Sequence, residues 1–217
     1  LEARRDEALA VLGRVYGADA RFQFYQRLEF DSYILKSQTP GKSGRDHARR
    51  FQTAWRDEEL NISAEYNTVQ ANFNPEVGFV RRTANTQYAG DFAWKPLLRQ
   101  SDLIRNLNFS TAIDYYEGSE TGKIETRTQE AAVGIQFENN GSINFTVNQT
   151  FDRLASDFLI HRSAPEVFIP AGDYRYSTYG LTATSSQNRK FSVNGSFNNG
   201  AFWDGRRKSI GGGIGWN

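Results

Sequence analysis

The sequence contains no cysteine and only two histidines, His47 and His161. Without cysteine, the chain can form neither a disulfide framework nor a thiolate metal site. Two histidines are a poor basis for a transition-metal site. The loop carboxylates Asp152, Asp157 and Glu166 show no EF-hand spacing. We therefore expect neither a bound metal nor any other cofactor.

The sequence also lacks long apolar runs and an excess of one charge. No run of about eighteen apolar residues occurs, which excludes a transmembrane helix. Basic side chains number 26 and acidic ones 25, which argues against a nucleic-acid binder with a basic face. No glycine-rich phosphate loop opens a helix, so nucleotide binding has no support. Residues 1–7 contain no apolar signal core, and we expect the chain to be a piece of a longer precursor.

What the sequence does contain is a repeated alternation of apolar and polar residues. In residues 143–151, for example, an apolar side chain occupies nearly every second position. This periodicity indicates β-strands with two unlike faces. It predicts eleven strands, at about 14–25, 28–37, 47–57, 60–69, 85–94, 105–116, 129–138, 143–151, 173–184, 190–198 and 209–217.

The predicted connections are alternately short and long. Gln26-Arg27 and Asn139-Asn140-Gly141 are short, and Asn and Gly favour a tight hairpin turn. A transmembrane β-barrel has this layout, with short periplasmic turns and long external loops. We therefore predict an all-β fold, an antiparallel up-and-down transmembrane β-barrel, as one domain over residues 1–217 in a bacterial outer membrane. The long connections lie near 38–46, 70–84, 117–125, 152–172 and 199–208, and the one at 95–103 is intermediate.

The strand count is odd, whereas bacterial single-chain barrels normally have an even number of strands. Residues 211–217 also do not end on the aromatic residue typical of a closing strand. We expect the barrel to be incomplete in this chain, with further strands after Asn217.

Aromatic residues are predicted to form a girdle at each membrane interface, because amphipathic rings suit the headgroup level. The periplasmic girdle would comprise Tyr25, Trp55, Trp94, Phe137 and Trp216. The external girdle would comprise Tyr66, Tyr115, Tyr116, Phe151, Tyr174 and Tyr176. The alternative is that these rings pack in a soluble core.

The most distinctive segment is residues 73–82, which is unusually apolar for a predicted external loop. Pro75 and Gly78 predict a tight turn, and Phe73, Val77 and Phe79 need an apolar surface to pack against. A loop that folds inward onto the barrel wall meets both needs. It would then act as a charge-selective constriction or as a structural plug. The candidate residues are Phe73, Asn74, Pro75, Glu76, Gly78, Phe79, Arg81 and Arg82, with Glu76 pairing Arg81, Arg82 or a lumen arginine.

This segment, the run Ile169-Pro170-Ala171-Gly172-Asp173-Tyr174 and the strand spacing together resemble a family of uncharacterised outer-membrane barrel proteins. Members are often found behind an N-terminal carbohydrate-binding module of the family-nine type. The resemblance implies a pore, or a membrane anchor for a glycan-binding front domain. This chain does not contain that module, so glycans would be partners only through a segment outside it.

Catalysis would require a nucleophile, a base and an orienting group within hydrogen-bond reach. His47 follows Asp46, and His161 has Asp157 and Ser163 nearby in the sequence. A hydrolase site in the external loops is therefore an alternative, as is a soluble β-barrel or sandwich that serves as a binding module. Loop histidines are more often solvated, and we predict no catalytic residue.

The expected partners are the lipid bilayer and lipopolysaccharide, and no nucleic acid. The basic run 206–208, Arg-Arg-Lys, lies in the last predicted loop. An exposed cationic cluster of this kind attracts lipopolysaccharide phosphates, although such a run is also typical of a solvated loop.

Overall fold

The computed structural model describes residues 13–75, 78–161 and 167–216, with only the backbone of His161. The described residues contain no helix that is long and apolar enough to cross a membrane. Their regular structure consists of β-strands, which follow the alternating runs because successive side chains in a strand point to opposite faces. The strands are β1 (Arg14–Phe24), β2 (Leu28–Gln38), β3 (His47–Arg56), β4 (Leu60–Val69), β5 (Asn85–Trp94), β6 (Ile104–Gly118), β7 (Ile124–Phe137), β8 (Ser142–Leu154), β9 (Phe158–His161), β10 (Val167–Ile169), β11 (Gly172–Thr184), β12 (Phe191–Phe202) and β13 (Gly205–Trp216).

Eleven of these strands form one antiparallel up-and-down sheet, which confirms the predicted all-β class and meander. The order is β1-β2-β3-β4-β5-β6-β7-β8-β11-β12-β13, so each strand pairs with the next along the chain, except that β8 pairs with β11. The short strands β9 and β10 pair with each other in a separate hairpin. β1 and β13 are the two edges of the large sheet, which is not closed into a barrel.

Two predicted loops differ from the structure. The predicted loop at 152–172 contains the β9–β10 hairpin. The predicted long loop at 199–208 is wrong, because Trp203 and Asp204 alone separate β12 from β13. Asn199 pairs with Lys208 and Gly200 with Arg207. These residues resemble a loop by composition, yet their backbone groups complete a strand ladder that tolerates polar side chains.

The register of the sheet sorts side chains into two unlike faces. One row on the apolar face joins Val133, Phe145, Leu181, Phe197 and Ile210 across β7, β8, β11, β12 and β13. The next positions along the same strands form a row on the polar face, and they are Gly134, Asn144, Thr182, Ser196 and Gly211.

The apolar face is open rather than packed into a core. Ile210 and Ile214 on β13 are 76% and 81% exposed, and Trp216 is 78% exposed. Among the described residues, the apolar side chains that are buried are Ala48, Ala54, Phe73, Phe151 and Ile169.

The chain divides into two compact units. The first unit comprises Leu1–Trp55, Ser63–Ala89 and Tyr116–Ile124. The second unit comprises Arg56–Ile62, Gly90–Tyr115 and Glu125–Asn217.

The β1–β2 turn is tight although it lacks glycine. Tyr25 and Gln26 have φ angles of 51° and 59°, in the left-handed region that residues with a Cβ rarely adopt. The Arg27 amide closes the turn by donating to the Phe24 carbonyl at 3.1 Å. Tyr25 itself is 88% exposed. The β7–β8 turn has the same sign of φ at Asn140, a residue type that tolerates it.

Candidate functional site

The described part of the connection between β4 and β5, residues 70–75 and 78–84, lies against the polar face of the first unit. Phe73 is only 5% exposed, so its ring is packed rather than solvated. The amide of Asn74 donates to Ser37 Oγ at 3.0 Å, and Ser37 is itself buried on β2. At the far end, the Ser119 amide donates to the Ala84 carbonyl at 2.8 Å. Both ends of the connection are therefore fixed.

Further hydrogen bonds hold the start of this connection to the one between β2 and β3. The Gln70 amide donates to the His47 carbonyl at 3.0 Å, and the His47 amide donates to Gln70 Oε1 at 3.0 Å. The Asn72 amide donates to the Arg45 carbonyl at 2.9 Å. The start of the segment is thus anchored through its backbone and through the side chain of Gln70.

A cavity of about 490 Å³ lies between this connection and the strands beneath it. Its floor is formed by residues of β1 to β6 and its roof by Phe73, Pro75 and residues 78–82. The lining residues are Val15, Tyr33, Leu35, Ala48, Asn67, Val69, Phe73, Pro75, Gly78, Phe79, Val80, Arg81, Arg82, Asn85, Gln87 and Tyr116.

Two amide side chains in the cavity each have one buried atom without a hydrogen-bond partner among the described residues. They are Asn67, through Oδ1, and Asn85, through Nδ2, and Asn85 is only 5% exposed. Buried polar atoms of this kind are normally satisfied by water or by a ligand. Arg82 adds a guanidinium, which lies 4.7 Å from the centroid of the Tyr116 ring. The cavity is therefore chemically suited to a polar solute.

The same polar face carries a ladder of four charged side chains across β1 to β4. Arg21 donates to Asp31 Oδ2 from Nε at 2.8 Å and from Nη2 at 2.6 Å. Arg50 binds both oxygens of Glu65, at 3.0 and 2.9 Å, and approaches Asp31 Oδ1 at 3.5 Å. Two cations and two anions alternate, so the charged ladder is neutral in sum.

The predicted loop residues take different places. Phe73, Pro75, Gly78, Phe79, Arg81 and Arg82 line the cavity, and Asn74 anchors the loop through its amide. A Cβ on Gly78 would lie 3.3 Å from Pro75 Cβ and Cγ, as a tight turn requires. Phe79 is 90% exposed and does not pack as the sequence led us to expect. Glu76 and Val77 lie outside the described residues, so the pairing of Glu76 stays a prediction.

Several rings of the predicted girdles lie on the apolar face. The Tyr66 ring contacts those of Tyr88 and Phe51, with centroids 5.4 and 6.4 Å apart. The Trp94 ring stacks on Phe109 at 5.7 Å, and the rings of Phe191 and Trp216 are 5.0 Å apart. Trp55, Phe137 and Tyr115 are half-buried in their strands, and Tyr25 lies in the turn.

Three members of the predicted external girdle lie on the polar face instead, namely Tyr116, which lines the cavity, Tyr174 and Tyr176. Tyr174 and Tyr176 pair with Asp152 and Thr150, and the Tyr176 hydroxyl donates to Asp152 Oδ2 at 3.0 Å. The reason is parity, since Leu181 and Ala183 place the odd positions of β11 on the apolar face. The predicted girdle mixed the two faces of this strand.

Sequence reasoning missed Trp203 in the β12–β13 turn. Its ring centroid lies 5.1 Å from that of Tyr174, 6.1 Å from Tyr176 and 6.5 Å from Phe158. The signal was the aromatic pair Phe202-Trp203 directly before Asp-Gly, which is a hairpin turn sequence.

The histidines do not form a recognisable catalytic arrangement in the described part of the chain. His47 Nδ1 lies 2.9 Å from Asp46 Oδ1, and its backbone amide is held by Gln70. Asp157 accepts a hydrogen bond from the Ala171 amide at 2.8 Å and so closes the base of the β9–β10 hairpin. Ser163 and the side chain of His161 lie outside the described residues. No metal-binding group of three or more His, Cys, Asp or Glu occurs among the residues described.

Comparison with protein-family models, with curated proteins and with solved structures gives no match to this chain. The resemblance to the barrel family therefore stays a prediction.

Proposed function

We propose that this chain is the wall of an outer-membrane β-barrel, with its apolar face against lipid and its polar face along a water-filled passage. The passage is narrowed by residues 73–82. The observation that carries the proposal is the open apolar face, whose rows run across successive strands.

The free energy of hydration favours this orientation. Leu181, Phe197 and Ile210 are 45%, 38% and 76% exposed although they are neighbours in one row. Removing a side chain of this size from water contributes about 1.5–3 kcal/mol, and contiguous apolar patches of this kind are rare on soluble monomers. Lipid covers all rows of the face at once.

The charged ladder supports the same orientation from the other side of the sheet. Ionised side chains are strongly disfavoured in contact with lipid and instead face water-filled interiors. Arg50, Asp31 and Glu65 lie on the face opposite to Phe51 and Phe30, as the pairing of β2 with β3 requires. In this proposal the ladder lines the passage.

The proposal sets a requirement on the sheet edges. In hydrocarbon every backbone amide and carbonyl has to be hydrogen-bonded, so β1 and β13 have to be paired in the assembled barrel. The cavity lined by Arg81 and Arg82 would then be a solute-binding site within the passage. These two arginines give the site a preference for anions, because rings and clusters of one charge select ions in pores.

Insertion is tested by fluorescence quenching with brominated lipids in vesicles, using variants that retain one tryptophan. Trp94 and Trp216, on the apolar face, are expected to be quenched strongly. If both remain unquenched, the membrane orientation is refuted and the soluble alternative is favoured.

Conduction is tested in planar bilayers with the intact protein. We expect channel events with an anion preference that falls in an Arg81→Gln/Arg82→Gln double variant. A matched control, Arg189→Gln/Lys190→Gln, removes two charges from the short β11–β12 connection and is expected to leave selectivity unchanged. Insertion without channel events would refute the passage and would favour a membrane anchor instead.

A further inference from the structure

The second unit carries a pocket of about 430 Å³ on its apolar face, at the end of the strands opposite to the β7–β8 and β11–β12 turns and beside the β12–β13 turn. Two arginines, Arg175 and Arg206, line it together with neutral hydrogen-bonding side chains. The neutral ones are Gln149, Ser177 and Asn199.

The register places this pocket at the border of the apolar rows. Ser177 pairs with Gln149, Ala201 with Arg206, and Asn199 with Lys208. Tyr179 also lines the pocket and precedes Leu181 by two residues, which is about 7 Å along a strand. Along the strands, the pocket therefore begins next to the row formed by Leu181, Phe197 and Ile210.

Both arginines in the pocket carry charge that the described residues do not neutralise. Arg153, the neighbouring cation, is paired with Asp173 at 2.7 Å. No ion pair joins Arg175 or Arg206 to a carboxylate in the described ranges. The Arg175 guanidinium instead lies 5.4 Å from the centroid of the Phe151 ring. Planar guanidinium groups bind phosphate oxygens in a bidentate manner, and two of them flank this pocket.

We infer that this pocket binds the phosphate of a lipid headgroup in the leaflet at the strand end that carries the β12–β13 turn. Arg175 and Arg206 pair with the phosphate oxygens, and Gln149, Ser177 and Asn199 donate to neighbouring headgroup oxygens. The inference rests on the proposed function, because a bilayer is what brings headgroups to this row. The pocket is wider than one phosphate needs and opens beside an apolar row, which favours a lipid over a free anion.

The test compares two probes on the intact protein in detergent micelles. One is bisphosphorylated lipid A, and the other is the same glycolipid after removal of both phosphates. We expect about tenfold tighter binding of the phosphorylated form, since charge-assisted hydrogen bonds distinguish the two. An Arg175→Gln/Arg206→Gln variant is expected to bind both forms equally. The control Arg189→Gln/Lys190→Gln, at the other end of β12, is expected to keep the tenfold ratio.

Each other outcome is decisive. If the Arg175/Arg206 double variant keeps the ratio, the pocket is not the site. If inorganic phosphate binds the pocket while the two glycolipids bind equally, the site takes a free anion and the lipid assignment is refuted. Should the double variant misfold, Arg175→Lys/Arg206→Lys retains both charges and is expected to show an intermediate ratio, because ammonium groups lack the bidentate fork. Insertion without a lipid preference refutes this inference alone, whereas lack of insertion refutes the proposed function.

Discussion

The two units build their polar faces from different chemistry. In the first unit, charged side chains connect neighbouring strands, as in the Arg50–Glu65 and Arg21–Asp31 pairs. In the second unit, two adjacent rows across β7, β8, β11, β12 and β13 are small and uncharged. One of these rows contains Gly134 and Asn144, and the other contains Gly180 and Asn198.

Glycine has a specific role in those uncharged rows. A Cβ at Gly180 would lie 2.7 Å from Asn198 Oδ1, and one at Gly211 would lie 2.7 Å from Ser196 Oγ. Glycine therefore leaves room for the polar side chain on the paired strand. One alternating pattern therefore accommodates two means of building a polar face, charge pairing in one region and close approach in the other. The cavity under residues 73–82 belongs to the charged region.

The largest effect is expected from an arginine placed on the apolar face of either unit, and it tests whether both faces contact lipid equally. Leu181→Arg in the second unit and Phe51→Arg in the first are each expected to lower the free energy of unfolding from lipid vesicles by about 2–4 kcal/mol. Urea titration of vesicle-inserted protein measures this loss.

The matched control for those variants is Thr182→Arg, which changes the adjacent residue on the polar face. It is expected to be nearly neutral. Equal losses for Leu181→Arg and Thr182→Arg would show that the apolar face does not contact lipid.

A smaller effect is expected where the second unit depends on close approach. A Cβ at Gly200 would lie 2.6 Å from Thr178 Cα, a backbone atom that cannot rotate away. Gly200→Ala is therefore expected to destabilise the protein by about 1–3 kcal/mol. Gly195→Ala on the same strand is the control, because a Cβ there meets no atom within 4 Å. If both variants unfold at the same urea concentration, close approach is not what distinguishes this unit.

The smallest effect concerns the charged ladder of the first unit. Arg50→Gln leaves Asp31 and Glu65 without their shared cation and is expected to cost about 1–2 kcal/mol of unfolding free energy, between the values for exposed and buried pairs. The Arg50 side chain is 28% exposed, whereas that of Arg21 is 82% exposed. Arg21→Gln is therefore expected to cost less.

A double-mutant cycle separates the pair from its surroundings. Adding Glu65→Gln to Arg50→Gln is expected to recover part of the loss. Strict additivity of the two variants would show that the pair is not coupled, and the contrast between the units would then rest on glycine alone.

The strands were predictable because alternation is a local property of the sequence. The register was less accessible, since it depends on turn lengths that composition describes poorly. The segment 199–208 illustrates this, because Asn, Gly and Arg residues suggested a loop where the ladder continues to Phe202 and resumes at Gly205. The charged ladder was missed for the same reason, as Arg50 and Glu65 meet only once β3 and β4 are aligned.

That the β4–β5 connection packs against one face of the sheet was expected from the apolar side chains of residues 73–82. The means of anchoring was not, because Ser37 and Ser119 are ordinary polar residues until the fold brings them to the loop backbone. The cavity amides of Asn67 and Asn85 gave no sequence signal either. Asparagine is common in this chain, and burial without a partner is a property of the folded state.

The β1–β2 turn has a consequence for protein engineering. Left-handed backbone at Tyr25 and Gln26 costs about 1–2 kcal/mol per residue, which Asn-Gly at the same positions would avoid. The native hairpin tolerates that strain, and the ring of Tyr25 at its tip is 88% exposed. In the membrane orientation proposed above, thermostability and interfacial anchoring compete at this turn, because a substitution chosen to raise the melting temperature removes a ring suited to the headgroup layer.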